Sequence, residues 1–443
     1  MTTHSVRAHA TAGDNAPLGV LALGKRAARV TAIVLLTLVP ACASGLARAI
    51  VSGKHAGWTH LYRRVADLLM MLGPTFVKAG QVLGTRRDVV PAGLCDALET
   101  LQESVTPLSA SRSRAELTEV YGDDLTLLFE HIDYDPIACG SIACVYRARS
   151  SSGKELALKL RRPGIVRVMR LDLALIRRGA TLVGKLPLFR DVPVDDVVSN
   201  MCEAVYGQLD FGREADSLVE LRENLSVVPR VWIPATYREL SRPRCIVMEY
   251  IPGLSVDVPN QCSLAARKRF AASGLAAIYQ MLFVDGFVHC DMHPGNLYFT
   301  KQAQVVVLDA GFSIQLSDKL RRLFAEFFMN MSIGNGERCA AIVIDSAAGV
   351  GEDADLDGFA TRMADLVHRT HGLPAKEFSL IAFATEMFEL QRDHGIHAAP
   401  ELIFPLLSLL VIEGTIRDLD PDVDFQGTAR PVLMRGLFGT RTR

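Results

Sequence analysis

The chain has 443 residues, of which 49% are hydrophobic and 22% are charged, and 48 basic residues nearly balance 49 acidic ones. This length is enough for two or three domains with at least one large core, and the apolar content excludes a wholly disordered chain. The net charge of −1 excludes a generally basic protein of the kind that binds nucleic acid through its overall charge, so we expect no nucleic-acid partner. The nine cysteines include no CxxC pair, which favours a reducing, cytoplasmic compartment.

The first distinctive feature is an apolar run near the N-terminus. Residues 1–28 are mostly small and polar and are predicted to be a disordered tail, and residues 29–57 form an apolar segment. Within it, residues 30–47 are almost uncharged. Three interpretations remain open: an export signal, a membrane helix that is short and interrupted by Pro40, and a helix that packs on the protein or lies on a bilayer surface.

Residues 58–125 are predicted to be helical. The segment LYRRVADLLMML repeats apolar residues at three- and four-residue steps, and another amphipathic segment begins after Pro91. Lys78 and Gln81 lie between these segments, three residues apart, and would share a helix face. On spacing alone, a solvated face is the favoured interpretation of this pair.

A β-hairpin is predicted from residue 131 onward, because two alternating runs are joined by a Ser-Ser-Ser-Gly turn. Four small residues at positions 138–141 precede the first run, and their backbone N–H groups could approach a phosphate. The second run places three leucines on one side and Lys159 on the other. Such a lysine either lies in water at a sheet edge or faces an anion.

Two helical segments follow, over residues 166–186 and 194–225. In the second, Glu203, Asp210 and Glu214 are spaced by seven and four residues. On one continuous helix this spacing would place three carboxylates on one stripe. Taken alone, such a stripe is typical of a solvated face.

The most informative stretch reads GFVHCDMHPGNLYF and then VVVLDAGFS, after two short strand-like runs (VWIPATY and RCIVMEYI) and a helix over residues 263–285. Polar, metal-competent side chains lie here at the ends of apolar strands: His289, Asp291, His293, Asn296 and, beyond a short β-hairpin, Asp309. Four residues separate the first aspartate from the asparagine, and the second aspartate comes thirteen residues after the asparagine. This order matches the catalytic loop and metal-binding turn of protein kinases.

The match to the protein-kinase loop also suggests roles for residues outside that loop. Phosphoryl transfer depends on positioned metals and counter-charges, and earlier segments of the chain carry suitable side chains. Lys159 would hold the α- and β-phosphates. A buried lysine without an acidic partner would cost several kcal/mol or lose its proton, so Glu203 and Glu214 become candidate partners. The backbone around Glu249 and Ile251 would contact adenine.

Eight motifs in order make the sequence resemble the UbiB/AarF/ADCK family of atypical protein-kinase-like proteins over roughly residues 58–430. They are GPTFVKAGQVLGTRRDVVP, PIACGSIACVYRA, LALKLRRPGI, QLDFGREA, MEYIPG, HCDMHPGN, LDAGF and VIEGTIRDLDPDVDF. The resemblance implies an α+β, two-lobed kinase-like fold. Residues 58–125 would be the family's helical extension, 126–253 a small β-sheet N-lobe and 254–443 a helical C-lobe, with the nucleotide held between the lobes.

The resemblance also assigns individual residues. The nucleotide loop falls on Ala138, Cys139, Gly140 and Ser141, and the nucleotide lysine and its helix partner fall on Lys159 and Glu214. The catalytic aspartate and asparagine fall on Asp291 and Asn296, and the metal aspartate on Asp309. The asparagine would also serve a second metal position. The family's regulatory lysine–glutamine motif falls on Lys78 and Gln81, on an extension that would cover the nucleotide site and exclude peptide substrates.

Three departures distinguish this chain from the family pattern. The family's Glu-x-Asp motif reads Gln-Leu-Asp at residues 208–210, which leaves Asp210 and Glu214 to hold Lys78. The first and third positions of this motif do not share a face of a regular helix, so a helix interruption would be needed for both to act together. The metal turn is Asp-Ala-Gly, and Gly140 stands where the family has alanine.

The resemblance implies an atypical kinase or ATPase that uses ATP or ADP with Mg²⁺. It would support isoprenoid-quinone or other lipid metabolism, peripherally or anchored at the cytoplasmic face of a membrane. Two alternatives remain: a pseudokinase-type nucleotide-binding regulatory module, and a metal-dependent hydrolase with His289, Asp291 and His293 as ligands. The apolar run LIFPLLSLLVIEG is interpreted as a core helix, and Cys139, Cys144 and Cys290 as packing residues.

Overall fold

The computed structural model describes residues 19–84, 90–101, 106–185, 194–292, 295–373 and 376–439. The chain divides into two compact units. The first comprises Met1–Ala215 and Thr236–Tyr250, and the second comprises Asp216–Ala235 and Ile251–Arg443. Residues 1–18 of the predicted tail lie outside the described residues. Helices and strands occur in both units, so the α+β class is confirmed.

The secondary structure of the described residues is predominantly helical. The α-helices are α1 (Val20–Ser52), α2 (Lys54–Leu72), α3 (Pro74–Gly84), α4 (Ala92–Glu99), α5 (Ala110–Tyr121), α6 (Asp124–Leu128), α7 (Ile165–Val183), α8 (Val194–Gly207), α9 (Phe211–Asn224), α10 (Leu264–Tyr279), α11 (Asp318–Ser332), α12 (Gly336–Asp345), α13 (Leu356–Thr370), α14 (Leu380–Asp393), α15 (Pro400–Leu419) and α16 (Phe425–Phe438). The strands are β1 (Phe129–Ile132), β2 (Ala138–Cys139), β3 (Ala143–Ser150), β4 (Glu155–Arg161), β5 (Val231–Trp232), β6 (Cys245–Glu249), β7 (Phe287–His289), β8 (Leu297–Phe299), β9 (Val305–Val307), β10 (Ser313–Gln315), β11 (Ala347–Val350) and β12 (Ile396–Ala398).

The apolar N-terminal segment forms one helix, α1, of 33 residues. The expected interruption at Pro40 is wrong, since α1 continues through it. Contacts with α2 offset the cost of the proline. Gly57 of α2 lies so close to α1 that a Cβ atom there would be 2.8 Å from the carbonyl oxygen of Gly45. The hydroxyl of Ser44 is 2.8 Å from Nε2 of His60.

A buried ion pair fixes α1 to α7. Arg26 donates from Nε to Oδ1 of Asp172 at 2.6 Å and from Nη2 to Oδ2 at 2.9 Å. The same Nη2 donates to the carbonyl oxygen of Leu72 at 2.9 Å. Only 1% of the Asp172 side chain is exposed, and a buried carboxylate needs such partners to remain charged. The N-terminal helix is therefore part of the first unit's packing.

The sheet of the first unit is antiparallel, with strand order β1-β3-β4-β6, and β2 pairs with β3. The predicted hairpin is confirmed as β3 and β4, which join through a turn after Ser150. Leu156, Leu158 and Leu160 are fully buried on one side of β4. This side packs on the core formed with α5, and the other side carries Lys159.

The structure has two helices where the sequence predicted one helix over residues 194–225. α8 ends at Gly207 and α9 begins at Phe211. Asp210 caps α9, since its Oδ1 accepts a hydrogen bond from the backbone N–H of Arg213 at 3.1 Å. Aspartate is among the residues favoured at this position because it satisfies one of the unpaired N–H groups of the first turn.

The predicted stripe of three carboxylates is consequently wrong. Glu203 lies on α8, Asp210 lies in the break, and Glu214 lies in the first turn of α9. Arg161 donates to the carbonyl oxygen of Leu209 at 3.0 Å and holds the break in place. The interruption makes the 208–210 motif a turn rather than part of a helix face.

The second unit builds its core from helices around short paired strands. β7 pairs with β10 and β8 pairs with β9, both antiparallel. The run LIFPLLSLLVIEG lies on α15, where Ile403, Leu409, Ile412 and Ile416 are buried in that core. The prediction of a core helix is confirmed, and α15 packs against α10 and α14.

Candidate active site

The first group of candidate residues centres on Lys159 in the sheet. It lies opposite Val145 of β3 and Ile246 of β6, so it occupies an inner strand and not a sheet edge. Its Nζ donates to Oε1 of Glu214 at 2.5 Å. Only 11% of the Lys159 side chain and 1% of the Glu214 side chain are exposed. The amine also lies 5.6 Å from the ring centre of Phe211.

Glu214 meets the electrostatic need of this lysine. An ammonium group this well buried requires a nearby negative charge to stay protonated. Glu214 belongs to the first turn of α9, where the helix dipole favours a carboxylate. The sequence left Glu203 and Glu214 as candidates, and the structure pairs Lys159 with Glu214.

The predicted nucleotide loop is a tight turn beside the sheet. Ala138–Cys139 forms β2, and the N–H of Gly140 donates to the carbonyl oxygen of Ala143 at 2.8 Å. Arg162 donates from Nε to the carbonyl oxygen of Gly140, also at 2.8 Å. Ser141 is buried. The turn is thus anchored from the end of β4, and its contact with phosphate stays a prediction.

The lysine–glutamine motif lies on one short helix, as the spacing predicted. Lys78 and Gln81 both belong to α3, which packs against α7 and α8. Gln81 donates from Nε2 to the carbonyl oxygen of Leu101 at 3.1 Å, and Lys78 is half-buried. Asp210 caps α9. Its pairing with Lys78 stays a prediction.

The predicted adenine linker lies at the point in the chain where residues of the first unit are followed by residues of the second. Glu249 ends β6 and pairs with Leu156 of β4. Ile251 is buried and belongs to the second unit. Their contact with adenine stays a prediction.

The second group of candidate residues lies in the loop between β7 and β8. Asn296 donates from Nδ2 to the backbone oxygen of Asp291 at 2.9 Å and to its Oδ2 at 3.3 Å. The backbone N–H of Asp291 donates to Nδ1 of His289 at 3.1 Å. This leaves Nε2 of His289 as the protonated nitrogen, 3.2 Å from the carbonyl oxygen of Leu308. The loop carrying Asp291 is therefore held by side chains at both ends.

Asp309 lies at the same end of the β8–β9 hairpin as Asn296. Leu308 donates its N–H to the carbonyl oxygen of Asn296 at 2.9 Å, and Asp309 is the next residue. Its φ of 56° is in the left-handed region, which aspartate tolerates better than most residues. Burial, reinforced by the negative charge of Asp309, raises the pKa of nearby Tyr298. The exposed carboxylate of Asp309 thus lies beside the loop between β7 and β8.

The metal-dependent hydrolase alternative gains no support from the described residues. Among them, no cluster of three His, Cys, Asp or Glu side chains is arranged to hold a metal ion, and His293 lies outside them. Both ring nitrogens of His289 are engaged within the loop, and the ring is fully buried. His289 is a positioning residue for the loop.

Two polar residues that the sequence reasoning missed support this region from α15. Ser408 donates from Oγ to the carbonyl oxygen of His289 at 2.8 Å. Glu413 accepts hydrogen bonds from the backbone N–H groups of Leu380 and Ile381 at 3.1 and 2.9 Å. Both side chains are buried. Their signal was their presence in the otherwise apolar run LIFPLLSLLVIEG, because buried polar groups need partners.

The chain has a lysine on an antiparallel sheet paired with a carboxylate on a helix, and an Asp–Asn loop followed by a strand-end aspartate. These features place it among the kinase-like proteins. Comparison with known families narrows this class. Residues 100–343 match the ABC1 atypical kinase-like domain, and residues 363–424 match the UbiB helical domain. The chain belongs to this UbiB-type ABC1 family, and the resemblance of its motifs is confirmed.

Similar proteins agree with this placement. The chain is 32% identical over 391 residues to "Probable protein kinase UbiB" of Pseudomonas fluorescens, covering 84% of this chain and 71% of the relative. The protein of the same name from Azotobacter vinelandii is 32% identical over 387 residues, covering 84% and 71%. A solved complex of Rv3197 with erythromycin, from Mycobacterium tuberculosis, has a TM-score of 0.59 at 20% identity, covering 81% of this chain and 91% of that one. That last likeness concerns the fold alone.

Proposed function

We propose that this protein binds ATP with Mg²⁺ and catalyses transfer or hydrolysis of its terminal phosphoryl group. The Lys159–Glu214 pair carries the proposal. A buried, charged amine held at 2.5 Å by a carboxylate has a fixed direction and can meet the α- and β-phosphates without reorganising. ADP would use the same contacts. The turn at Gly140 would add backbone N–H groups to the phosphates.

Residues of the second unit are suited to the metal. The carboxylate of Asp309 and the side-chain oxygen of Asn296 are the oxygen ligands that Mg²⁺ prefers, and they lie at the same end of one hairpin. When bound, Mg²⁺ would neutralise charge on the phosphate oxygens. Asp291 would accept the proton of the attacking hydroxyl or water at its carboxylate. Asn296 orients that carboxylate through its hydrogen bond to Oδ2.

Phosphate release distinguishes an enzyme from a pseudokinase-type regulatory module. With Mg-ATP, we expect the protein to release inorganic phosphate above the uncatalysed background, and we expect EDTA to abolish the release, because the metal carries charge that the protein does not replace. The retained carboxylate of Asp291 favours turnover. Nucleotide binding with neither phosphate release nor ADP formation, with candidate lipid acceptors present, would favour the regulatory module instead.

We further propose that the protein acts at the cytoplasmic face of a membrane, in support of isoprenoid-quinone or other lipid metabolism. Among the described residues, α1 is long and apolar enough to cross a bilayer by length and composition. Leu35, Val39, Leu46 and Ile50 follow one side of α1 and are each more than half exposed. The opposite side packs on the first unit. This leaves an apolar stripe facing outward, which we call the outer stripe.

The packing of α1 favours a position along the membrane surface over a span. α2 runs alongside α1 and carries an exposed Arg63 and the Arg64–Asp67 pair at 2.9 Å. If α1 crossed the bilayer, these charges would enter the hydrocarbon, which is costly. The Arg26–Asp172 pair also holds α1 against α7. A helix held in this way can bury its outer stripe at the lipid interface.

Liposome flotation tests this membrane contact. We expect the double variant Leu35→Glu, Leu46→Glu to lose at least about tenfold in binding to vesicles of phosphatidylcholine and phosphatidylglycerol, because two apolar contacts are replaced by charges. The matched control is Leu127→Glu, Val227→Glu, which changes side chains that are 69% and 65% exposed elsewhere. Equal flotation of the outer-stripe variant and the native protein would remove the proposed role of α1.

A further inference from the structure

Two free cysteines lie face to face at the predicted nucleotide loop. Cys139 of β2 and Cys144 of β3 are direct partners in the antiparallel register. Their Sγ atoms are 2.8 Å apart. A disulfide bond needs a separation of about 2.05 Å between sulfurs, so a small side-chain movement would bring them together.

The two thiols differ in access. Cys144 is fully buried in the core under the sheet, whereas Cys139 is partly exposed and packs against that core from its edge. Both side chains contribute to the packing of that core. Their opposition across one pair of strands is an additional feature, because packing alone does not require two thiols in contact.

From this geometry we infer that Cys139 and Cys144 form a reversible disulfide that controls nucleotide binding, an effect that rests on the proposed function. The oxidant is a peroxide. The sulfur of Cys139 attacks a peroxide oxygen, the O–O bond breaks, and a sulfenic acid forms with release of water or an alcohol. The sulfur of Cys144 then attacks the sulfenic sulfur, an S–S bond forms, and the oxygen leaves as water with the thiol proton. The two thiols lose two electrons and the peroxide gains them.

The cross-link would act on the loop that joins the two cysteines. Residues 140–143 already form a tight turn through the Gly140–Ala143 hydrogen bond. Arg162 also anchors this turn through its Nε and its backbone N–H, which bond the carbonyl oxygens of Gly140 and Ile142. A covalent bond at the base of the turn removes the remaining freedom that its N–H groups need to close on a phosphate. Thiol reductants reverse the bond, which suits a reducing compartment.

Alkylation reports the cross-link independently of nucleotide. Both cysteines fall on one tryptic peptide, residues 115–147. After peroxide treatment and unfolding in denaturant, which exposes the buried Cys144, we expect this peptide to resist alkylation at both cysteines until a reductant is added. Burial raises the pKa of Cys139 to about 11, so the reaction is followed at about pH 9, where more thiolate is present. In Cys139→Ser no such protection is expected, and Cys262→Ser should behave like the native protein.

Thermal unfolding reports the effect on the nucleotide. We expect the oxidised protein to keep less than about half of the stabilisation that Mg-ATP gives the reduced protein, and a reductant to restore it. Peroxide should not change the stabilisation that Mg-ATP gives Cys144→Ala, whose substituted side chain lies in the core and outside the predicted nucleotide loop. Alkylation of both thiols after peroxide would overturn the inference, as would a cross-linked protein that Mg-ATP stabilises normally. If Mg-ATP does not stabilise the reduced protein, the proposed function and the control of binding both fail, whereas alkylation still decides whether the cross-link forms.

Discussion

Replacing Asp291 by asparagine is expected to lower the turnover number for phosphate release by about 10²–10⁴-fold, the usual contribution of a general base. An amide cannot accept the proton of the attacking hydroxyl or water. It has the shape of the carboxylate and can still accept the hydrogen bond that Asn296 donates to Oδ2. The loop should therefore keep its form, and stabilisation by Mg-ATP should be unchanged.

The matched control for this loss is Asp353→Asn, an exposed aspartate outside the site, which should retain native turnover. Single-turnover and steady-state phosphate release should show the same loss for Asp291→Asn if proton transfer limits the reaction. A turnover within twofold of the native value would show that Asp291 is not the base.

The Glu413→Ala variant is expected to unfold with about 3 kcal/mol less free energy than the native protein. Glu413 is fully buried. Its oxygens accept hydrogen bonds from the backbone N–H groups of Leu380 and Ile381 at the start of α14 and from Nε of Arg417 at 2.9 Å. Removing the carboxylate leaves the two N–H groups buried without an acceptor. It also removes the negative charge that pairs with the guanidinium of Arg417.

Thermal unfolding measures this loss, and 3 kcal/mol corresponds to a fall in Tm of roughly 3 °C when the whole chain unfolds in one transition and roughly 7 °C when the second unit unfolds by itself. The control is Glu389→Ala, an exposed glutamate on α14, which should change stability by less than about 0.5 kcal/mol. Similar Tm values for the two variants would contradict the role of Glu413 as the anchor between α14 and α15.

Local patterns allowed the sheet and the catalytic loop to be predicted. The alternation around Lys159 predicted that three leucines of β4 would share one side of the strand and Lys159 the other, because successive strand residues face opposite sides. The order of Asp291, Asn296 and Asp309 at apolar strand ends predicted a kinase-like loop, and the β8–β9 hairpin brings Asn296 and Asp309 to one end. Both inferences needed only short-range geometry.

Longer-range contacts explain what the sequence did not predict. Spacing alone left Glu203 and Glu214 as equal partners for Lys159, and only the family resemblance singled out Glu214, whereas the break at Asp210 separates their helices in the structure. Pro40 suggested an interruption, but the packing of α2 on α1 offsets its local cost. The supporting roles of Ser408 and Glu413 depend on chain segments more than thirty residues away. Such contacts follow from tertiary packing and have no local periodicity.

Thermal unfolding with Mg-ATP tests the central proposal, that nucleotide binding requires both Lys159 and Asp309. At a nucleotide concentration about one hundred times Kd, binding should stabilise the native protein by about 2.7 kcal/mol, a shift of roughly 3 °C for a chain of this length. Lys159→Ala and Asp309→Asn should each abolish the shift, whereas Lys154→Ala, at an exposed position just before β4, should retain it. No shift in the native protein at millimolar Mg-ATP, or full shifts in both site variants, would contradict the account.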